Sequence, residues 1–534
     1  MRTVRDATFE IFRETGMTTL HANPGSTEIS FLAGLPDDLR FVLALHEGSV
    51  VGMATGQAIA SGRPALAILH TTAGLGNAVG ALATARVNRA PLVVIVGQQD
   101  RRHLTLEPFL AGKLDGLAGE YPVWVGRPPR PEDVPGAVAR AWHEATTGRG
   151  PALVIVPSGD WTAPMPEDEV IAAPREIVRS RAVDVDDVAA VTRLIDGARR
   201  PVIVSGAGAD AERTWAALVT LAERLRCPVW QESFGARAGF PQDHPQYAGV
   251  VPASRARLRA ALDGHDAVLV VGAPVLRQYP YEAGPFFTPG TKVAVITDDP
   301  EEAHRSPADI AVLGSVGAAC EHLAASVSPR IGPAPRFDPA QAPEPPEDDE
   351  PLRAGHVLGA LRRLLTPTAV VVEETPSSRP DLHRLLPARR PLGFVSAAMG
   401  GLGFALPGAT GLRMALPDRP VVAVVGDGSA IYGIQALWSA ARYGVGALFV
   451  ILANGRYAVM DRLAESHGDK KPPWPDFAEV SMSGLARSFG CPAVAVDSYP
   501  DLVRVLGEVV PGLAERTEPV LLEVSVTPDP DFAP

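Results

Sequence analysis

Cysteine is scarce in this chain, with three residues in 534. Cys227, Cys320 and Cys491 are scattered, odd in number and without metal-ligand spacing. That excludes a disulfide framework or cysteine-bound zinc and predicts reduced core residues of a cytoplasmic protein. Long apolar runs are also missing: the longest, such as 447–453, have strand length, far below the roughly 20 residues of a membrane span. The first twelve residues form an amphipathic helix pattern with acidic side chains rather than the apolar core of a signal peptide. The net charge is −12 without a long block of one sign, which argues against nucleic-acid partners. What the chain has in quantity is apolar residues, 46% of its length, enough for two to four domains.

Two stretches read as linkers: 162–175, rich in Pro and acids, and 328–351, too polar and too proline-rich to pack. They divide the chain into α/β blocks at 1–163, 180–328 and 351–534, each of domain size. The expected architecture is three doubly wound parallel sheets. The outer blocks echo each other. Short Val/Ile-rich runs bounded by glycine recur as Ala65–His70 and Pro91–Gly97, and again as Pro420–Val425 and Ala447–Ala453. His70 to Gly97 and Gly426 to Ala453 both span 27 residues. Either the units are related, or both are ordinary βαβ repeats. The middle block carries Gly206-Ala207-Gly208 after an apolar run, a dinucleotide fingerprint lacking its third glycine, for which a structural turn is the favoured reading.

Asp427 and Asn454 are the most informative pair. Each closes one of the apolar runs of the last block and is followed by glycine, with a helix pattern over 432–443 between them. A right-handed crossover brings both strand ends to one sheet edge, where open α/β folds bind ligands. Two oxygen ligands suit Mg²⁺, which completes its shell from water and phosphate. The small residues Gly428 and Ser429 let backbone amides approach that phosphate. Far upstream, Glu47 follows the strand pattern 41–45 and opens an apolar helix. It reads either as a carboxylate in a dry pocket or as a helix-start glutamate favoured by the dipole.

The 427–454 segment resembles the diphosphate-binding motif of the thiamine-diphosphate-dependent enzymes. Asn23-Pro24-Gly25-Ser26, Leu45-His46-Glu47, the stretches 70–77 and 398–407 and the Asp427–Asn454 motif together are similar to the benzoylformate decarboxylase branch of that family. The resemblance implies thiamine diphosphate bridging the first and third domains, usually across a subunit interface, hence a homodimer or homotetramer with shared active sites. It implies Mg²⁺ (or Ca²⁺) on Asp427, Asn454 and the main-chain carbonyl of Arg456, with FAD not expected. Glu47 would face the aminopyrimidine, Gly400 would present its carbonyl to the same ring, and Leu402 would wedge the cofactor into its bent form. Gly25, Asn77, Thr375, Pro376, Ser377, Gly426, Gly428, Ser429, Gly455, Tyr457, Ala458 and Val459 would complete the cofactor site.

Ser26 would hold the substrate carboxylate or its carbonyl oxygen, although it also suits a helix N-cap. His70 would transfer protons, its ordinary pKa near 6.5 serving both directions; a buried structural histidine is the plainer alternative. The implied reaction is non-oxidative decarboxylation of a 2-oxo acid, benzoylformate-like or related, to an aldehyde and CO₂. A carboligase resembling acetolactate synthase and an inactive cofactor-binding regulator are the alternatives. The chain departs from the family twice. Tyr279 stands where a second histidine is expected, and its ordinary pKa near 10 makes it a poorer proton carrier. Ser396 replaces an aromatic in a pocket otherwise lined by Phe109, Leu110, Val459, Met460 and Leu463, so the substrate side chain stays open.

Overall fold

Runs of Val, Ile, Leu and Ala that are apolar on both faces belong in parallel sheets covered by helices on either side. The computed structural model, which describes residues 1–167, 171, 176–178, 182–347, 350–468 and 472–529, places them in three such sheets of six strands. The first holds β1 (Thr19–Asn23), β2 (Arg40–Leu43), β3 (Ala65–Leu69), β4 (Leu92–Gln98), β5 (Trp124–Gly126) and β6 (Pro151–Pro157) in the order β2-β1-β3-β4-β6-β5. The second holds β7 (Pro201–Ser205), β8 (Val229–Gln231), β9 (Tyr247–Val250), β10 (Ala267–Val271), β11 (Lys292–Thr297) and β12 (Ile310–Leu313), ordered β12-β11-β10-β7-β8-β9. The third holds β13 (Val370–Glu374), β14 (Phe394–Ser396), β15 (Val421–Gly426), β16 (Leu448–Ala453), β17 (Ala493–Val496) and β18 (Val520–Ser525), ordered β14-β13-β15-β16-β18-β17.

The first and third sheets therefore share one winding. The strand pairs with matching spacing, β3–β4 and β15–β16, occupy the same two central places in them. The middle sheet winds differently, with the strand order of dinucleotide-binding folds. Its glycines serve packing. A Cβ on Gly206 would lie 2.5 Å from the Ala273 Cβ, and one on Gly208 would lie 2.9 Å from Gly272 Cα, so the turns that follow β7 and β10 press directly on each other.

Local expectations fare unevenly. The N-terminal helix runs Val4–Thr15, with Thr3 and Asp6 forming a reciprocal cap. The crossover helix between β15 and β16 is shorter than expected, Ala436–Arg442, because 431–435 form turns instead. All three cysteines are buried and unpaired. The second linker corrects an expectation: it packs. Ala340 and Ala342 lie against the core of the third unit, and the Arg330 guanidinium donates to the carbonyls of Ile195, Ala198 and Arg199. Proline-rich chain docks here because alanines and one arginine guanidinium supply the contacts. Residues 168–170, 172–175 and 348–349 of the linkers, residue 180 and residues 530–534 lie outside the described residues.

The units meet through specific contacts. The helix Glu47–Ser61 of the first crosses the helix Ala405–Ala415 of the third, glycine on glycine. Asn88 donates to the Ser396 carbonyl at 3.0 Å and accepts from the Ala398 amide at 2.9 Å. Arg89 pairs with Asp298 at 2.7 Å, joining first to second.

Candidate active site

β15 and β16 pair in parallel, Gly426 beside Leu452, so the next residues of each strand meet at the carboxyl edge. Asp427 Oδ2 accepts from the amides of Asn454 (2.9 Å) and Gly455 (2.6 Å), and its Oδ1 accepts from Gly428 N at 2.8 Å. Burial pushes this carboxyl up, against the pull of the three amides. Asn454 Oδ1 accepts from the Arg456 amide at 3.0 Å. Asp427 Oδ1 and Asn454 Oδ1 thus each take one bond and each keep a lone pair. Among the described residues no three His, Cys, Asp or Glu side chains cluster as a metal cage. Two free oxygen donors without a cage suit a hard cation that draws the rest of its shell from phosphate and water. Gly455 adopts φ +67°, the left-handed conformation that a turn placing Asn454 and Arg456 on one side requires. Tyr457 packs on Phe477 and starts the helix Ala458–Ser466, and a Cβ on Gly428 would strike its ring at 2.7 Å.

A second group forms at the carboxyl edge of the first sheet. Glu47 is the first residue of its helix and is buried. Its two oxygens accept from Asn23 Nδ2 at 3.0 Å and Asn77 Nδ2 at 3.1 Å. His70 caps the helix Thr71–Val87 directly after β3. Its Nδ1 lies 2.9 Å from Thr27 Oγ1 and 3.0 Å from Glu28 Oε2. Gly25 makes room, since a Cβ there would sit 2.5 Å from the imidazole. Ser26 is exposed and occupies the first position of the 3-10 turn Ser26–Glu28. The N-cap reading of Ser26 is therefore corrected: Gly25 is the cap, and the Glu28 carboxylate closes the turn by accepting Gly25 N–H at 2.7 Å.

A third group lines a cavity of 1520 Å³ between the second and third units. Its walls include Thr375, Pro376, Gly400, Leu402, Val459 and Tyr279, with Ser396, Met460 and Leu463; Ser377 follows Pro376 in the same loop. Leu402 is 38% exposed, an apolar side chain standing into open space. Gly400 has φ +74°. Glu374, the last residue of β13, holds this turn by accepting from the amides of Gly403, Phe404 and Ala405; burial pushes its pKa up to about 8 against those bonds. Tyr279 is 66% exposed and tilts against Phe234 at 6.4 Å. Glu47, His70, Ser26 and Asn77 lie outside these walls, as do Phe109 and Leu110. Sequence reasoning gave no role to Asn23, Glu28 or Glu374. Only Glu28 had a local signal, the Gly-x-x-Glu spacing of a capping box.

Comparison with known proteins agrees with this arrangement. Residues 2–117 match the thiamine pyrophosphate enzyme N-terminal TPP binding domain, 188–323 the central domain and 377–524 the C-terminal TPP binding domain. Benzoylformate decarboxylase of Pseudomonas aeruginosa is 38% identical, over 98% of this chain and 99% of the relative. The thiamine diphosphate-dependent 4-hydroxybenzoylformate decarboxylase of Rhodococcus jostii superposes with a TM-score of 0.93 at 36% identity, over 99% of this chain and 100% of that one. The benzoylformate decarboxylase structure from Polynucleobacter necessarius gives 0.93 at 31% identity over the full length of both. With all three domains matched and this identity along the whole chain, the protein belongs to the thiamine pyrophosphate enzyme family.

Proposed function

We propose that this protein is a thiamine-diphosphate- and Mg²⁺-dependent carboxy-lyase that converts an arylglyoxylate-like 2-oxo acid to its aldehyde and CO₂. The observation that carries the reading is His70. A cofactor-binding regulator needs no imidazole tied through one nitrogen with the other left without a described partner; a site that must protonate a product does. When bound, the cofactor supplies the electron sink that makes loss of CO₂ possible. The chain's own residues do the rest. Asp427 and Asn454 would hold the cation by their free oxygen lone pairs, together with the Arg456 carbonyl. Glu47, steadied by Asn23 and Asn77, would face the aminopyrimidine with its proton-sharing carboxylate. Ser26 orients the substrate carboxylate, and His70 returns a proton to the product carbon. Val459, Met460 and Leu463 exclude water from the reacting end of the cavity, while Ser396 leaves room for a substituted ring. The test is CO₂ and aldehyde release from a panel of 2-oxo acids, with thiamine diphosphate and Mg²⁺ added. Turnover of benzoylformate or a ring-substituted relative is expected, and no aldehyde from any of them would end the reading.

Metal dependence has its own test. Asp427→Ala is expected to weaken thiamine diphosphate binding in the presence of Mg²⁺ by at least ~10–100-fold in calorimetry. Asp427→Asn keeps the size and one acceptor oxygen and should fall between. Wild-type affinity in both would take Asp427 out of the site.

Two copies are needed to complete this site in our reading, since the first-unit group lies off the cavity walls. Leu106 and Phe109 are 80% and 88% exposed, large apolar side chains of the kind a second copy covers. Sedimentation should give a dimer or tetramer at micromolar concentration, whereas a fully active monomer would refute the sharing.

A further inference from the structure

We propose that Glu28 is a positioning residue: it fixes the tautomer and the orientation of His70, so that Nε2 is the nitrogen that moves the proton. The inference rests on the reading of His70 as proton carrier. Glu28 Oε2 accepts the Gly25 amide and lies 3.0 Å from His70 Nδ1, while its Oε1 accepts the Thr27 hydroxyl. The Thr27 proton is spent on Glu28, so Thr27 Oγ1 offers only lone pairs to His70 Nδ1, 2.9 Å away. Every neighbour of Nδ1 is then an acceptor, and Nδ1 must carry hydrogen. Nε2 is left to accept or release a proton.

The surroundings are built around the pair. The side chains of Glu28 and His70 are 3% and 16% exposed. A Cβ on Gly97 of β4 would lie 1.7 Å from Glu28 Oε1, and one on Gly25 would lie 2.5 Å from the His70 ring, so two glycines clear the space that the carboxylate and imidazole share. Gly25 and Thr27 of the turn meet the ring, Gly74 of the following helix lies beside the His70 Cβ, and Gly97 of β4 lies behind Glu28 and Thr27. Among the described residues Glu28 is the one ionisable side chain paired with it. The carboxylate also holds the ring against rotation, since turning it over would take the Nδ1 hydrogen away from Glu28 Oε2.

Glu28→Gln is the direct test, in full-length protein labelled with ¹⁵N-histidine, with the His70 signal identified by its loss in His70→Asn. Gln keeps its oxygen toward the Gly25 amide and turns its NH2 to Thr27 Oγ1, so the Thr27 hydroxyl is no longer spent on Glu28 and can donate to Nδ1. The expected result is a switch of neutral His70 to the Nε2–H tautomer, with kcat down about 10²-fold. Glu28→Asp keeps the charge, retains the tautomer and recovers part of kcat; it decides the matter should the Gln variant fold poorly. An unchanged tautomer in Glu28→Gln, or in Glu28→Asp a loss equal to that of Glu28→Gln with no change at His70, overturns the proposal. Full turnover in His70→Ala would instead remove the proton-carrier reading, and the nitrogen signals would still report what Glu28 does to the ring.

Discussion

Glu47→Gln is expected to lower turnover by ~10²–10⁴-fold while thiamine diphosphate binding stays close to wild type. The size follows from what the substitution removes. Gln keeps the length and volume of the side chain, so the helix Glu47–Ser61 and its crossing are untouched. It loses the ability to hold or share a proton. One hydrogen bond is also put at risk, because Asn23 and Asn77 both point amide groups at the carboxylate and the new amide nitrogen can face only one of them after that Asn turns over. Leaving a buried amide unpaired costs about 1–3 kcal/mol, a loss that the melting temperature reports separately from turnover. Glu47→Asp retains the charge but draws it back from the edge, and should sit between. Calorimetry for the cofactor and CO₂ release for turnover check the pair of expectations. A Gln variant that releases CO₂ at the wild-type rate would remove Glu47 from the chemistry and leave it as a helix-start acid.

What the sequence disclosed about this site depended on how local each relation was. Asp427 and Asn454 were readable because strand, helix and strand are contiguous and the handedness of the crossover leaves one answer. The equal spacing of 27 residues in the outer blocks was likewise local, and it translated into identical strand order. Glu28 was not readable, since its partner His70 is 42 residues away and nothing in either segment names the other. Glu374 was hidden for the same reason: it reaches the amides of 403–405 from the end of a strand that looks like any buried strand. The error about the second linker came from composition. Proline and acid content reports how little a segment can bury by itself, but Ala340 and Ala342 bury against a core supplied by Leu358, Leu361 and their neighbours. Ser26 was misplaced as a cap by one residue, which a turn closed by a glutamate side chain decides and residue preference does not.

Gly411→Ala is expected to destabilise the protein by about 3 kcal/mol or more, at or beyond the top of the usual range for overpacking. A Cβ at Gly411 would lie 1.9 Å from the Met53 carbonyl oxygen, and one at Gly56 would lie 2.1 Å from the Gly408 carbonyl oxygen. Both obstacles are backbone, so no rotamer change relieves them and the two helices must part. Against this stands the gain of ~1 kcal/mol for replacing Gly by Ala within a helix, too small to reverse the sign. Gly507→Ala isolates that gain, because Gly507 sits in the helix Tyr499–Val509 with nothing within 4 Å of the added methyl; it should be neutral or slightly stabilising. The crossing also carries function, since one helix begins with Glu47 and the other follows the turn that presents Gly400 and Leu402. Spreading them moves the two edges of the site relative to each other. Gly56→Ala and Gly411→Ala should therefore lower the first melting transition and cut kcat together, whereas Gly507→Ala should do neither. If Gly411→Ala melts with the wild type, the helices have slack that this packing does not contain, and the close crossing is not what fixes the first unit on the third.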